Sequence, residues 1–347
     1  MDTTHRVRAA ECFMRPRKNG RGRHIAGVIG STLIILLSVF RLSDQAFSQS
    51  LLRPTVTAAT VNFWGLMYGP FRDGQNPNLG KFPSLDQITE DVRILASIGL
   101  ADGKRWLDVI GLYSTDHGFA NVISLAAPLG VRVMPGCFLD NSSNDNQEVN
   151  SLINNLISYG SLGNIPFAMV GSEAFSQHHV QIDQLIARIK QVQTATSHQV
   201  QIGTAESWKT WLDYPQLADA VDVIMVNVYP YHEGYAIDGA PDYAITQFRK
   251  VQAAYPHQPA VIGETGWPSK GESYGAADAG VENEEVYASQ IYFLATTLGI
   301  SVFYFEAFDE AWKESATGTV NQAHFGIFTS QRNIAFGIAK GPFGAQR

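Results

Sequence analysis

Cysteine is scarce in this chain of 347 residues, and so is charge, which makes up 16% of the sequence. The two cysteines, Cys12 and Cys137, exclude a disulfide framework and a cysteine-rich metal site. Basic residues are also in deficit, with 25 Lys and Arg against 32 Asp and Glu. From residue 49 onward, 17 basic residues stand against 29 acidic ones. A body this acidic is poorly suited to binding nucleic acid or anionic lipid through charge.

Signatures of bound cofactors are absent as well. The sequence contains no HExxH zinc motif, no Walker phosphate loop and no GxGxxG dinucleotide motif, so we expect neither a metal nor a nucleotide cofactor. Residues 271–275 fit the GxSxG pattern of serine hydrolases, but they follow a loop and not the strand that this chemistry requires. His178 and His179 lack a third ligand at metal-binding spacing.

The N-terminal segment has the pattern of an export signal. Seven Lys and Arg residues within positions 1–24 precede an uncharged, mostly apolar run of sixteen residues at 25–40. That run is shorter than the roughly 20 residues of a typical membrane span. Small residues at 46–48 suit signal peptidase. We therefore expect residues 1–48 to be a signal peptide or an uncleaved anchor, and the body to be exported, with membrane contact only through this segment.

From about residue 61 onward, short apolar runs alternate eight times with helix-period stretches, such as the stripe at 85–95. Continuously apolar strands spaced by helices indicate a parallel sheet buried on both faces. We predict one (β/α)₈ barrel of the TIM type over 61–340, after a lead-in at 49–60 and before a tail at 341–347. The alternative is a doubly wound open sheet. The eight runs are 63–68, 107–113, 131–139, 165–170, 200–205, 221–229, 259–262 and 300–305.

Two glutamates stand where apolar runs end. Glu173 follows the fourth run and Glu264 follows the seventh, each just after a glycine or a glycine-serine pair. In a barrel, chemistry sits at the C-terminal ends of strands, and a carboxylate there costs desolvation free energy unless it is partnered or functional. Glycoside hydrolysis requires opposed carboxylates, because one protonates the leaving oxygen while the other attacks the anomeric carbon or activates water. The pair therefore predicts a glycosidase.

Segments around these glutamates resemble glycoside hydrolase family 17, the β-1,3-glucanases. IGETGWPS is similar to the family's nucleophile signature, and VGSE lies where the family has its acid/base motif. The resemblance implies a retaining, β-glucan-active barrel with Glu264 as nucleophile and Glu173 as acid/base. Other similar segments follow in family order: 68–78 (YGPFRDGQNPN, as in the bacterial members), 203–208 (GTAESW), 226–231 (VNVYPY), 305–313 (FEAFDEAWK) and 324–328 (HFGIF).

The resemblance also implies substrate-binding residues. Tyr229 would donate to the nucleophile, Glu310 and Lys313 would belong to the polar network beside it, and Ser172 and Asn227 are further candidates. Aromatic residues cluster near the same strand ends, which favours a sugar cleft because the apolar faces of sugars stack on aromatic rings. These aromatic candidates are Tyr68, Tyr113, Trp208, Tyr229, Tyr231, Trp267, Phe308 and Trp312.

Two positions depart from the family pattern. Ser172 stands where the family has an asparagine that binds the sugar 2-hydroxyl. Gly111, in the second apolar run, stands where the wider clan of related glycoside hydrolases has an arginine beside the nucleophile. The missing cation should raise the pKa of Glu264.

The leading prediction is therefore an exported, monomeric enzyme that hydrolyses β-1,3-glucan without a cofactor. If the acceptor is a second sugar and not water, the same site is a glucanosyltransferase. A barrel that binds envelope glucan with little turnover is the third hypothesis, and Ser172 and Gly111 motivate it. The products formed from laminarin distinguish the three.

Overall fold

The computed structural model describes residues 62–99 and 105–333. By its internal contacts the chain divides into two units, Met1–Pro54 and Thr55–Arg347, and every described residue belongs to the second. The export segment, the lead-in and the tail that the sequence predicts lie outside the described residues. Among the described helices, none is both long and apolar enough to cross a membrane.

The described residues contain nine parallel strands in one sheet. The strands are β1 (Trp64–Tyr68), β2 (Val109–Leu112), β3 (Arg132–Met134), β4 (Gly136–Cys137), β5 (Ala168–Ser172), β6 (Ile202–Ser207), β7 (Val223–Asn227), β8 (Ala260–Thr265) and β9 (Val302–Tyr304). Hydrogen-bonded neighbours follow the order β3-β2-β1-β9-β8-β7-β6-β5-β4. The two outermost strands in this order, β3 and β4, are consecutive pieces of the chain on either side of Pro135. The sheet therefore closes into a barrel.

This closure confirms the predicted barrel and shows that the open-sheet alternative was wrong. The third apolar run, predicted as one strand over 131–139, is instead two short strands. The break falls at Pro135 because proline has no N–H to donate to a neighbouring strand. The Pro135 carbonyl still accepts a hydrogen bond from the backbone N–H of Met169, at 2.9 Å, and so helps to join this strand to β5.

Helices surround the barrel. Those of the described residues are α1 (Leu85–Ser97), α2 (Asn121–Ala126), α3 (Asp145–Tyr159), α4 (Ile182–Ala195), α5 (Trp208–Asp213), α6 (Pro215–Ala218), α7 (Ala240–Ala254), α8 (Val281–Leu298) and α9 (Trp312–Thr317). The helix predicted from the apolar stripe at 85–95 is confirmed as α1. It begins with a capping box, in which Ser84 and Gln87 each accept the other's backbone N–H. The buried face of α1 carries Ile88, Val92 and Leu95, which belong to the hydrophobic core.

Large side chains that face glycines fill the barrel interior. A Cβ atom on Gly65 would lie 2.6 Å from the Phe303 ring, and one on Gly111 would lie 2.5 Å from Met67 Sδ. The interior is therefore a packed core and not a pore. Polar chemistry is consequently confined to the ends of the strands, which is where the candidate site lies.

Candidate active site

Glu264 is the next-to-last residue of β8, and only 5% of its surface is exposed. Three hydroxyl groups donate to its carboxylate. Tyr229 donates to Oε2 at 2.7 Å, whereas Ser172 and Tyr113 donate to Oε1 at 2.7 and 3.0 Å. Ser172 ends β5, Tyr113 follows β2, and Tyr229 lies two residues beyond β7. Closure of the barrel is what brings these distant segments to one carboxylate.

Neutral donors hold the Glu264 carboxylate, without a cation. None of the ion pairs among the described residues includes Glu264. Burial raises the pKa of Glu264 to about 7, the nearby Glu173 carboxylate adds to the increase, and the three hydroxyl donors oppose it. Gly111 offers no place for the absent arginine, because even a Cβ atom there would collide with Met67.

Glu173 follows β5 directly and is half-buried. Two residues at this strand end have left-handed backbone: Gly171 has φ +76° and Glu173 has φ +53°. Glycine adopts this conformation freely, but a glutamate does so only when its surroundings impose it. Here the Glu173 N–H donates to the carbonyl of Ala205 at 2.7 Å, and the Gln177 side-chain amide donates to Glu173 Oε2 at 2.8 Å. The turn therefore aims the carboxyl group along the mouth of the barrel.

Asn227 and Ser172 connect the two glutamates. The Asn227 side-chain amide, at the end of β7, lies 3.2 Å from Glu173 Oε1 and 3.5 Å from Ser172 Oγ. Ser172 Oγ in turn donates to Glu264. Two carboxyl groups thus face one small polar cluster at the C-terminal mouth of the barrel. One of them is buried and held by hydroxyls, while the other is half-buried. This arrangement suits a nucleophile paired with a proton donor.

A family model, the BtgE/BtgC glycoside hydrolase domain, matches residues 65–326. The chain belongs to this family. It is 32% identical over 241 residues to a glucan 1,3-β-glucosidase of Arthroderma benhamiae, a match that covers 64% of this chain and 77% of that relative. The enzyme assignment drawn from the two glutamates is confirmed.

Solved structures agree with this glycoside hydrolase assignment. The family 17 β-1,3-glucanosyltransferase from Rhizomucor miehei matches with a TM-score of 0.68 and 27% identity, over 80% of this chain and 97% of that one. An active-site mutant of the Rhizomucor miehei enzyme, in complex with laminaritriose, matches with a TM-score of 0.67 and 27% identity over the same shares of the two chains. The predicted membership of glycoside hydrolase family 17 is likewise confirmed.

Lys313 lies in a second polar cluster of this glycoside hydrolase, after β9. Its Nζ contacts both carboxylate oxygens of Glu306, at 2.6 and 2.5 Å, and Oε2 of Glu310 at 2.8 Å. Burial disfavours the charge on Lys313, but the two carboxylates outweigh this effect and raise its pKa. Glu310 also accepts the backbone N–H of Phe71 at 3.0 Å. The cluster therefore holds the loop after β1, and among the described residues no hydrogen bond joins it to Glu264.

Trp208 begins α5 at the rim of the site and is half-buried. Its indole N–H donates to Glu233 Oε1 at 2.9 Å, and the ammonium groups of Lys209 and Lys250 lie 5.1 and 5.4 Å from its ring centroid. Glu233 also accepts the hydroxyl of Tyr243 at 2.7 Å. These contacts fix the orientation of the ring, which remains partly exposed.

Burial corrects part of the predicted substrate-binding set. A side chain with almost no exposed surface cannot stack on a sugar, so these residues support the site from within the core. Tyr68, for example, donates its hydroxyl to Asp91, and the Trp267 indole N–H donates to the carbonyl of Asp278. Trp312 is half-buried and packs edge-on against Phe71. The corrected aromatic residues are Tyr68, Tyr231, Trp267 and Phe308, and Glu310 is likewise almost fully buried, within the polar cluster of Lys313.

The sequence reasoning missed two acidic residues near the mouth: Glu206 in β6 and Glu306 just after β9. Both carry the same signal that identified Glu173 and Glu264, a carboxylate where an apolar run ends. That signal therefore marks the rim of the barrel, but it does not separate groups that face substrate from groups that support the rim.

Proposed function

We propose that this chain is a retaining glycoside hydrolase that acts on β-1,3-linked glucan. The observation that carries the proposal is the Glu264 carboxylate, held by three hydroxyls and joined through Ser172 and Asn227 to Glu173. The activities of the relatives, a glucan 1,3-β-glucosidase and a β-1,3-glucanosyltransferase, supply the substrate class.

In the first step, Glu264 attacks the anomeric carbon while Glu173 gives its proton to the departing glycosidic oxygen. A glycosyl ester on Glu264 results, and the leaving sugar departs as an alcohol. In the second step, Glu173 takes a proton from the incoming acceptor, which attacks the same carbon and frees Glu264. Tyr229 and Tyr113 hold the nucleophile in place. Burial and the nearby Glu264 charge raise the pKa of both phenols, so they stay protonated as donors.

The test of these roles is a pair of isosteric variants. We expect Glu264→Gln and Glu173→Gln each to retain less than about a tenth of the turnover of laminarin, because general acid catalysis alone is typically worth 10²–10⁴-fold. Glucan binding by both variants, and the unfolding midpoint of Glu173→Gln, should stay close to those of the wild type. Glu282→Gln, an exposed glutamate at the start of α8, is the matched control and should keep full activity. If either variant keeps more than about a tenth of the wild-type turnover, the role of the substituted glutamate is misassigned.

Transfer to a second sugar is the alternative on the same residues. The Rhizomucor miehei glucanosyltransferase, matched over 97% of its length, favours it. The two reactions differ only in the acceptor of the second step. Incubation with laminari-oligosaccharides at increasing concentration, followed by chromatography, distinguishes them. Short reducing sugars indicate hydrolysis, elongated oligomers indicate transfer, and binding without products would leave a glucan-binding barrel with weak turnover, the hypothesis that Ser172 and Gly111 motivated.

We also infer that the barrel is exported. The basic residues within 1–24 and the apolar run at 25–40 support this inference. A chain that starts at Gln49 should be soluble and active without detergent. An insoluble product, together with activity of the full-length protein in membranes, would show that the first 48 residues do more than direct export.

A further inference from the structure

Glu206 is a buried carboxylate that neither catalytic step uses. It is the next-to-last residue of β6, and none of its surface is exposed. Its two oxygens each accept a backbone N–H from the segment after β5. Oε1 accepts from Phe175 at 2.8 Å and Oε2 accepts from Ser176 at 3.0 Å. The side chain therefore ties the end of one strand to the turn that follows its neighbour.

The contact requires a carboxylate. Two N–H groups converge on the side chain, and only a carboxylate offers each of them an oxygen, whereas an amide has one acceptor and would turn an NH₂ group toward the second donor. Placing the group here is costly, because burial raises the pKa of Glu206 to about 7 although both backbone N–H groups oppose the increase. An apolar residue would avoid that desolvation cost but would leave two buried N–H groups unpaired.

The turn that Glu206 holds is the one that carries Glu173. Phe175 and Ser176 lie two and three residues beyond Glu173, whose backbone is in the left-handed region at φ +53°. On the other side, the Glu173 N–H donates to the carbonyl of Ala205, the residue that precedes Glu206. The end of β6 thus fixes the backbone both at Glu173 and just after it. Such fixation is what keeps a glutamate in an unfavourable conformation.

We propose that Glu206 is a positioning residue for the acid/base: it holds the 173–176 turn so that the Glu173 carboxyl group reaches the glycosidic oxygen. The inference rests on the proposed function, in which Glu173 delivers the proton. Proton delivery depends on placement, since a shift of about 1 Å at a catalytic group can cost on the order of 10²-fold in rate. A purely structural role, in contrast, would affect every step of the reaction alike.

Two substrates with different leaving groups separate these roles. Cleavage of laminaritriose releases a sugar as an alcohol, so the departing oxygen needs the proton of Glu173. Cleavage of a 2,4-dinitrophenyl β-laminaribioside releases a stable phenolate, which needs no proton. For Glu206→Gln we expect kcat/KM on laminaritriose to fall by about 10- to 100-fold. On the dinitrophenyl substrate, kcat/KM, which reports formation of the glycosyl-enzyme, should change by less than about threefold.

Two further variants keep the test decisive. Glu206→Asp retains both acceptor oxygens on a shorter side chain, so it should show the same split to a smaller degree, even if the Gln variant folds poorly. Glu148→Gln is the control, since Glu148 likewise accepts a backbone N–H, from Phe138 at 3.1 Å, beside a different strand. Any loss that it causes should be equal on the two substrates.

Equal losses on both substrates in the Glu206 variants, or no loss on either, would overturn the inference. Glu173→Gln, measured on the same substrates, isolates the underlying assumption. If Glu173→Gln shows no split, the proposed function fails at its acid/base. If Glu173→Gln shows the split and the Glu206 variants do not, only the positioning role of Glu206 fails.

Discussion

Removal of the Tyr229 hydroxyl should change the pH at which the enzyme begins to work. Tyr229 is the one donor to Oε2 of Glu264 among the described residues, at 2.7 Å. Because the hydroxyl stabilises the carboxylate and not the carboxylic acid, it lowers the pKa of Glu264. In Tyr229→Phe that pKa must rise. The ionised nucleophile then forms only at higher pH, and the acid limb of the activity profile moves upward.

The size of the shift follows from the energy of the bond. A hydrogen bond to a charged group is worth about 1.5–3 kcal/mol, and about 1.4 kcal/mol corresponds to one pH unit. The wild-type acid limb should lie near pH 7, the pKa to which burial raises Glu264. In Tyr229→Phe it should lie about one to two units higher. At pH 6, kcat/KM would then be about 10- to 100-fold below that of the wild type, and the gap should narrow sharply toward pH 9.

The assay is kcat/KM on laminari-oligosaccharides from pH 5 to pH 9.5, since this ratio reports ionisations of the free enzyme. Tyr113→Phe is the matched control. Tyr113 donates to Oε1 at 3.0 Å, and that oxygen keeps a shorter bond from Ser172 at 2.7 Å, so the control should shift the limb by less. If Tyr229→Phe lowers kcat/KM equally at every pH, then its hydroxyl acts on the transition state without setting the charge of Glu264, and the reasoning is wrong.

Two stability predictions follow from buried charges. Glu264 has a folded-state pKa near 7, above the value near 4.5 of an exposed glutamate, so its contribution to stability is complete below about pH 4.5 and is lost as the pH rises through 7. The unfolding free energy of Glu264→Gln, relative to that of the wild type, should therefore rise by up to about 3 kcal/mol between pH 4.5 and pH 8. Urea titrations of both proteins at the two pH values measure this. If the difference between variant and wild type is the same at both pH values, the pKa assignment is wrong. Arg332 contacts both oxygens of the buried Asp91, at 2.8 and 2.7 Å, so Arg332→Ala should lower the unfolding free energy by about 3 kcal/mol or more. Arg72→Ala, which removes the more exposed partner of the same carboxylate, should cost less in the same titration.

Much of the fold could be predicted from local pattern. The eight apolar runs lie where barrel strands or their flanks lie, because a strand buried on both faces must be apolar along its whole length. The stripe at 85–95 is helical because its apolar residues recur every three and four positions behind a capping box. The break at Pro135 was also visible in the sequence, since proline cannot donate within a sheet, but the apolar run on both sides of it concealed the interruption.

The candidate site was predictable only in part. Carboxylates at strand ends are conspicuous in a sequence because a charge beside an apolar run is costly to bury. That cost located Glu173 and Glu264, and it would equally have located Glu206 and Glu306. What each carboxylate contacts depends on residues brought to it from other strands. Glu264, for instance, takes its donors from residues 35 to 151 positions away.

The aromatic residues show the same limit most clearly. The sequence placed Trp267 and Phe308 near the mouth of the barrel, and both do lie close to strand ends. Whether such a ring faces the cleft or the core depends on the direction of its side chain and on what packs over it. The tertiary structure buried these two and left Trp208 and Tyr113 half-open. Composition and periodicity thus determined that there is a barrel and at which end of its strands the candidate site lies. The closure of the barrel decided which groups meet there, because hydrogen bonds and desolvation act between residues that are distant in sequence and adjacent only in the folded chain.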